Sequence, residues 1–296
     1  MAKSGDKFSA VWVSHSSMGD FIKCPRCYYL HNVYKDPKNR RKMNIVSPAL
    51  SLGSAVHEAV ESLARLPVPE RSEFFAASGH GAEKLLAKYE AAWAQFTGKK
   101  GGFKSAEEEA EAKARGVAMI ERVANNPGPL MEKTVRFGQA KLDAGGMLPN
   151  YFLSAEENII LCGKIDWLAY KPEDDSIHVL DFKTGKNEEK TDSLQLPIYL
   201  LLLNELQKRK VTGASYWYLD KDDAPVEVDL PDAKESYERV IKVAREVKKA
   251  RDEKVFLCPR GEAGCFACRP FEKILRGEAE YLGVGEYNQD LFMVDM

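Results

Sequence analysis

Two carboxylates and one amine in the middle of the chain have a spacing that suits chemistry on a phosphate. Asp166 and Asp181 each end a short apolar stretch, and Lys183 follows Asp181 by two residues. Carboxylates hold hard cations such as Mg²⁺, which polarise a phosphate and lower the pKa of an attacking water. Side chains alternate along a strand, so Asp181 and Lys183 are expected on one face, where the lysine can orient the water or stabilise developing charge. The pattern predicts a metal-dependent centre for phosphodiester hydrolysis.

The alternative is that both aspartates form turns and that Lys183 is a surface cation. A lone Asp-x-Lys triplet is more often of that kind. Here Thr184-Gly185 provides a sharp exit from the strand, and Asp166 precedes at the distance of a hairpin. These two features favour a catalytic site.

The elements predicted around these residues are short strands followed by a helix. Strands are predicted over 159–161, 165–170, 177–182, 214–219 and 226–230, and helices over 192–209 and from Asp232 onward. The turn-forming residues 172–175 separate the second strand from the third, which predicts that these two strands pair as a hairpin. The hairpin would carry both aspartates to one end of the sheet.

Helices are predicted both before and after the strands along the chain. A short one near the start could be capped by Ser16 or Ser17, and its inward residues are expected to be Met18, Phe21 and Ile22. The residues expected on the buried face of the long helix after Asp232 are Tyr237, Val240, Ala244 and Val247.

Another helix is predicted to begin near Ser51 and to carry His57. Pro67 and Pro69 stop its apolar pattern. A mostly helical insertion is predicted at about 70–140, and we expect it to pack over one side of the core.

Length and composition fit one elaborated α/β domain. The 296 residues are 44% hydrophobic and 30% charged, so a sizeable core is expected. The order of elements predicts a single domain over 1–296, with the helical insertion and a cysteine-bearing C-terminal segment at about 255–296.

A net charge of −2 gives no overall attraction to nucleic acid, so local basic patches must supply it. Loop 35–42 has five cationic residues among eight, and Lys99, Lys100 and Lys104 form a second group. The N-terminus lacks the apolar run of a signal peptide, and the most apolar stretch, 194–203, is about half a bilayer span. We expect a cytoplasmic protein without membrane contact.

Six cysteines lie at 24, 27, 162, 258, 265 and 268, and five of them form two groups near the ends of the chain. In a protein expected inside the cell, a metal or iron–sulfur site is favoured over disulfides. Cys24-x2-Cys27 with Cys265-x2-Cys268 is a Cys₄ zinc pattern that leaves Cys258 over. Cys162 lies in an apolar strand and is expected to be a small buried side chain.

Four segments together resemble the PD-(D/E)XK nuclease superfamily, and in particular its RecB-like branch, which includes AddB and CRISPR-associated exonucleases. They are LGSAVH at 52–57, GKID at 163–166, LDFKTG at 180–185 and QLPIY at 195–199. The resemblance covers about 15–270, with the helical insertion unmatched. It implies a restriction-endonuclease-like fold, in which a central mixed sheet is flanked by helices.

The resemblance also implies the roles of the site residues. Mg²⁺ or Mn²⁺ would be held by His57, Asp166, Asp181 and the backbone carbonyl of Phe182, while Lys183 would be catalytic. Gln195 and Tyr199 would lie beside the site and contact the strand that bears Lys183 or the nucleic acid.

For the cysteines, the resemblance implies an iron–sulfur cluster (4Fe–4S) on Cys24, Cys258, Cys265 and Cys268. The spacing C-x6-C-x2-C departs from the family's usual order, in which a close cysteine pair comes first. Either cofactor would tie the N-terminal segment to the C-terminal one.

These features predict a metal-dependent DNA nuclease. The favoured activity is that of an exonuclease that prefers single strands and acts on free ends. Its expected pathway is repair, recombination or CRISPR adaptation, and its expected partner is a helicase or a CRISPR-type protein. The residues expected to contact the nucleic acid are Arg26, Tyr28, Arg40, Arg41 and Tyr199. The alternative is a nuclease-like module that binds nucleic acid or protein without cutting and uses its cysteine site as a clamp.

Overall fold

A computed structural model describes residues 5–76, 80–135 and 148–295 of the chain. Residues 77–79 and 136–140 of the predicted insertion lie outside these ranges. The strands are β1 (Val11–Val13), β2 (Met43–Ile45), β3 (Asn150–Ser154), β4 (Ile159–Cys162), β5 (Trp167–Lys171), β6 (Ser176–Lys183), β7 (Val211–Tyr218), β8 (Val226–Val228), β9 (Glu280–Val284) and β10 (Asp290–Met293). The α-helices are α1 (His15–Lys23), α2 (Pro25–Tyr28), α3 (Pro48–Glu61), α4 (Val68–Ala76), α5 (His80–Trp93), α6 (Ala106–Asn125), α7 (Gln195–Leu206), α8 (Ala233–Glu253) and α9 (Arg269–Leu275).

A four-stranded mixed sheet in the order β5-β6-β7-β8 lies at the centre. The predicted hairpin is confirmed, because β5 and β6 pair antiparallel, and β7 then joins β6 in parallel after the crossover through α7. Two three-stranded sheets, β1-β4-β3 and β2-β10-β9, flank this centre. The mixed α/β fold predicted from the sequence is confirmed, with the strands divided among three sheets.

Helices cover both faces of the central sheet. On one face, Trp167, Leu180 and Phe182 share a buried core with α3, α5 and α6. On the other face, Val179 packs against α7 through Leu203. The insertion residues at 70–76 and 80–135 thus pack over one side of the core, as expected.

Helix α1 differs from its prediction in its N-cap and in the exposure of Ile22. Ser14 is the N-cap, and its side chain accepts the backbone N–H of Ser17. The helix therefore begins earlier than a cap at Ser16 or Ser17 would allow. Met18 is buried, but Ile22 is 60% exposed, because the short helix buries only one stripe.

The long helix α8 begins after Asp232, close to its predicted start, and the side chain of Asp232 caps it. Val240, Ala244 and Val247 are buried on its inner face, whereas Tyr237 is exposed. The buried stripe is therefore shorter than the sequence suggested, since Tyr237 lies in the first turns of the helix.

We expect Gly116→Ala to destabilise the fold by about 1–3 kcal/mol. A Cβ at this position of α6 would lie 2.1 Å from the Tyr89 hydroxyl oxygen and 2.9 Å from Leu52 Cδ1. Gly19→Ala is the matched control, since a Cβ there meets nothing within 4 Å. In helix α1 that change should stabilise the fold by about 0.5–1 kcal/mol. Chemical denaturation of both variants measures the difference, and equal unfolding midpoints would contradict the close packing of α6.

Candidate active site and cysteine centre

The candidate active site lies at the end of the sheet where β5 begins and β6 finishes. Trp167 pairs with Leu180, so Asp166, one residue before β5, is level with Asp181. Asp166 Oδ2 accepts a hydrogen bond of 3.1 Å from the backbone amide of Phe182. The hairpin therefore brings the two aspartates together.

A buried polar network holds Asp181 against helix α7. Asp181 Oδ1 accepts hydrogen bonds from Gln195 Nε2 at 2.7 Å and from the Tyr199 hydroxyl at 2.9 Å. The two donors are one helical turn apart on the same face of α7. Gln195 Oε1 accepts a further hydrogen bond from Lys183 Nζ. Asp181, Lys183, Gln195 and Tyr199 thus form one connected unit.

Lys183 is a permanent positive charge in this unit. Its Nζ lies 2.7 Å from Asp181 Oδ2, 2.9 Å from Glu189 Oε2 and 4.8 Å from the centre of the Tyr216 ring. Burial lowers the pKa of Lys183, but the two carboxylates raise it by more, so the pKa lies above its ordinary value. At neutral pH the amine can donate hydrogen bonds to a phosphate but cannot accept a proton from water.

Three side chains beside this unit form a compact group of potential metal ligands. They are His57, Glu61 and Asp166, whose ligand atoms all lie within 4.8 Å of one another. His57 Nδ1 is 3.2 Å from Glu61 Oε1 and 3.5 Å from Asp166 Oδ2. Helix α3 supplies His57 and Glu61 from successive turns, while the hairpin supplies Asp166.

The pKa values of these groups depend on one another because the groups are buried close together. Burial, opposed by His57, raises the pKa of Asp166 to about 7, and the carboxylates of Asp181 and Glu61 add to the rise. Burial lowers the pKa of His57, but Asp166 and Glu61 raise it by more, to about 9. A divalent cation bound here would have to displace such protons, because ligands bind metals in their deprotonated forms.

The donor set fits a hard divalent cation. Carboxylate oxygens with one imidazole nitrogen suit Mg²⁺ or Mn²⁺. Asp181 Oδ2 is buried, and its partner among the described residues is the ammonium of Lys183, at 2.7 Å. This oxygen therefore keeps a lone pair available to a cation.

Glu61 is a site residue that the sequence analysis did not identify. It lies four residues after His57, so the spacing His-x-x-x-Glu on one helix face was the available signal. Its Oε2 also pairs with Lys164 Nζ at 2.5 Å. Phe182, predicted to act through its carbonyl, contacts Asp166 through its amide.

Two of the expected nucleic-acid contacts are wrong. Tyr28 is 1% exposed and Tyr199 is 5% exposed, so neither ring can stack on a base. Arg41 donates hydrogen bonds to Asn288 and Asp290. Arg40 is exposed and stays a predicted contact.

Several other basic candidates have carboxylate partners. These ion pairs are Arg26–Glu272, Lys99–Glu280 and Lys104–Asp295. The two lysines thereby connect the helical insertion to the C-terminal segment. Lys100 is exposed.

Four buried cysteines from the two ends of the fold meet in what we call the cysteine centre. Cys24, Cys258, Cys265 and Cys268 place their Sγ atoms within 4.8 Å of one another. These are the four cysteines that the resemblance implied. The zinc pattern contained Cys27 and left out Cys258. Cys27 is buried beside the centre, and burial raises its pKa to about 12.

Backbone amides point at the sulfurs of the cysteine centre. The amide of Arg260 lies 3.4 Å from Cys258 Sγ, and the amide of Cys265 lies 3.2 Å from Cys268 Sγ. Such donors favour thiolates, which are the metal-binding form. The centre therefore fits a metal cofactor. Cys162 lies elsewhere, half-buried, with its Sγ 3.5 Å from the carbonyl of Val13.

The fold and the site define an α/β protein with paired carboxylates and a lysine at one end of a mixed sheet. A model of the PD-(D/E)XK nuclease superfamily matches residues 12–272, and the chain belongs to this superfamily. Its substrate class is therefore nucleic acid, and divalent metals are the usual cofactors of such nucleases. No curated protein matches the chain. Within the described ranges, no helix has the length and apolar character of a membrane span.

We expect Glu61→Gln to weaken Mn²⁺ binding on the order of 10–100-fold, because an amide offers the cation no charge. Glu58→Gln is the matched control, since it removes the same charge from an exposed position of α3. Isothermal titration calorimetry measures both affinities. An unchanged affinity in Glu61→Gln would remove Glu61 from the ligand set.

Proposed function

We propose that this chain is a Mg²⁺- or Mn²⁺-dependent deoxyribonuclease of the RecB-like branch. The observation that carries the proposal is the contact between the Asp181–Lys183–Gln195–Tyr199 unit and the strand end that bears Asp166. All four of the family's motif segments supply a side chain with suitable chemistry to this one place. The bound cation would be held by His57, Glu61, Asp166 and Asp181.

The metal, when bound, supplies the polarisation of the phosphate and the activation of water. The protein residues supply orientation and charge. Lys183 places a protonated amine where negative charge develops on the phosphate, and it needs no reorganisation because Asp181, Glu189 and Gln195 already hold it. Tyr199 fixes the carboxylate of Asp181 through its hydroxyl.

A single strand with a free end is the substrate that we propose, and cleavage is exonucleolytic. The physiological setting would be repair, recombination or CRISPR adaptation in the cytoplasm, with a helicase or a CRISPR-type protein as partner. The RecB-like motifs at 52–57 and 195–199 support this assignment.

Lys183→Ala and Asp181→Asn should each lower the rate of cleavage of labelled DNA in Mn²⁺ on the order of 100–1,000-fold. Lys186→Ala is the control, since it removes an exposed charge just after the same strand. Gel electrophoresis of the products measures the rates. Equal cleavage by all four proteins would refute the proposed site, and DNA binding without any cleavage by the wild type would support a non-cutting module instead.

We further propose that the cysteine centre holds an iron–sulfur cluster. Thiolates suit both such clusters and zinc. A single Zn²⁺ with bonds of about 2.3 Å would place its sulfurs about 3.8 Å apart, and Cys265 Sγ and Cys268 Sγ are 3.8 Å apart. The family resemblance favours the cluster, and the two cofactors differ in colour and in metal content.

Anaerobically purified protein should be brown, with a broad absorption band at about 400 nm and several iron atoms per chain. Cys268→Ser should lose the band and unfold at a lower temperature, because the link between the two ends of the fold is lost. Cys27→Ser is the matched control, a buried cysteine outside the four. Absorption spectroscopy, metal analysis and thermal unfolding test this, and a colourless protein with one zinc would refute the cluster.

A further inference from the structure

A cavity of about 880 Å³ lies beside the cysteine centre. It is bounded by the π-helical turn Tyr29–Val33, the C-terminal end of α8 and the loop that leads to Cys258. Its lining contains none of the candidate active-site residues. The proposed catalytic chemistry therefore leaves it without a role.

One wall of the cavity is aromatic. The rings of Tyr29 and Phe256 are stacked, with centroids 4.8 Å apart and planes at 28°. Both side chains are half-buried and line the cavity. Tyr28 supports the Phe256 ring from within the core, with centroids 6.2 Å apart and planes at 33°. Tyr28 was the predicted base contact, but its neighbour Tyr29 is the ring that lines the cavity.

The cavity also carries two positive charges that form no ion pair with the described residues. Arg251 and Lys254 line it, and neither has a carboxylate within ion-pair distance among the described residues. Arg26 contributes less, because its guanidinium is paired with Glu272. The exposed carboxylate of Glu262 is the opposing charge at the cavity wall.

The basic loop 35–42 adds to this charge. Burial lowers the pKa of Lys42, and the nearby cations Lys35 and Arg251 lower it further. Arg251 therefore lies close enough to the loop for the charges to interact.

We propose that this cavity binds an unpaired base of a single-stranded nucleic acid, with Tyr29 and Phe256 as the stacking wall and Arg251 and Lys254 on the flanking phosphates. The inference rests on the proposed function for the class of ligand. Aromatic rings with a cationic rim are the general means of holding single strands. A base in a duplex is already stacked on both faces, so the cavity selects unpaired strands.

An apolar peptide is the other ligand that such a wall could suit, since Leu257 and Leu275 also line the cavity and are exposed. Covering Arg251 and Lys254 with apolar groups would desolvate two charges without a partner, which is costly. Phosphates compensate both charges. The charge at the rim therefore favours the nucleic acid.

Binding of fluorescein-labelled oligothymidylate to the full chain, measured by anisotropy in EDTA, tests the proposal. Phe256→Leu keeps an apolar side chain but removes the ring, and should raise Kd at least about five-fold. Arg251→Gln with Lys254→Gln should raise Kd and flatten its dependence on salt concentration. Glu262→Gln should lower Kd.

Lys234→Gln with Lys242→Gln is the matched control for the double variant, since both lysines are exposed on α8 and neither lines the cavity. Melting temperatures identify any variant that fails to fold. The proposal is overturned if folded Phe256→Leu binds like the wild type, or if the control double variant weakens binding as much as the cavity double variant does.

Photo-crosslinking with bromodeoxyuridine oligonucleotides gives an independent measurement on the wild type. Mass spectrometry should locate the crosslink on Tyr29 or Phe256, and crosslinks confined to other residues would overturn the proposal. Both experiments are done without divalent metal. Loss of cleavage alone would therefore count against the proposed nuclease activity, and loss of the Phe256 effect alone against this cavity.

Discussion

The burial of Asp181 is the constraint on which the site depends. Its side chain lies in a strand covered on both faces, and the residue is 1% exposed. A carboxylate in such a position is tolerated only with charge and hydrogen bonds around it. Lys183, Gln195 and Tyr199 supply them, and their spacing follows from the periods of a strand and a helix. The motif residues therefore stabilise a buried carboxylate in addition to providing groups for chemistry.

The second half of the site depends on how α3 is held. His57 and Glu61 meet Asp166 only because α3 packs on the sheet face that carries Phe182. Helices α5 and α6 of the insertion pack against α3, so they hold in place the helix that carries His57 and Glu61. A substitution in that core can alter metal binding without touching a ligand.

The two ends of the fold are joined in more than one way. The cysteine centre connects Cys24 with the three C-terminal cysteines, and β2 also pairs in parallel with β10. Lys99 pairs with Glu280 across the same junction. Cys258 of the cysteine centre also lines the proposed base-binding cavity, so a cofactor at the cysteines would shape that surface as well as stabilise the fold.

The sequence by itself determined the hairpin, the helix that carries Gln195 and Tyr199, and the pairing of Asp181 with Lys183, because these depend on local periodicity and turns. It also selected Cys24, Cys258, Cys265 and Cys268, through the family resemblance. Only the tertiary structure decided that Glu61 joins His57 and Asp166, that Tyr28 is buried while Tyr29 lines a cavity, and that Ile22 faces solvent. These outcomes depend on which neighbour covers each face, and spacing along one chain does not contain that information.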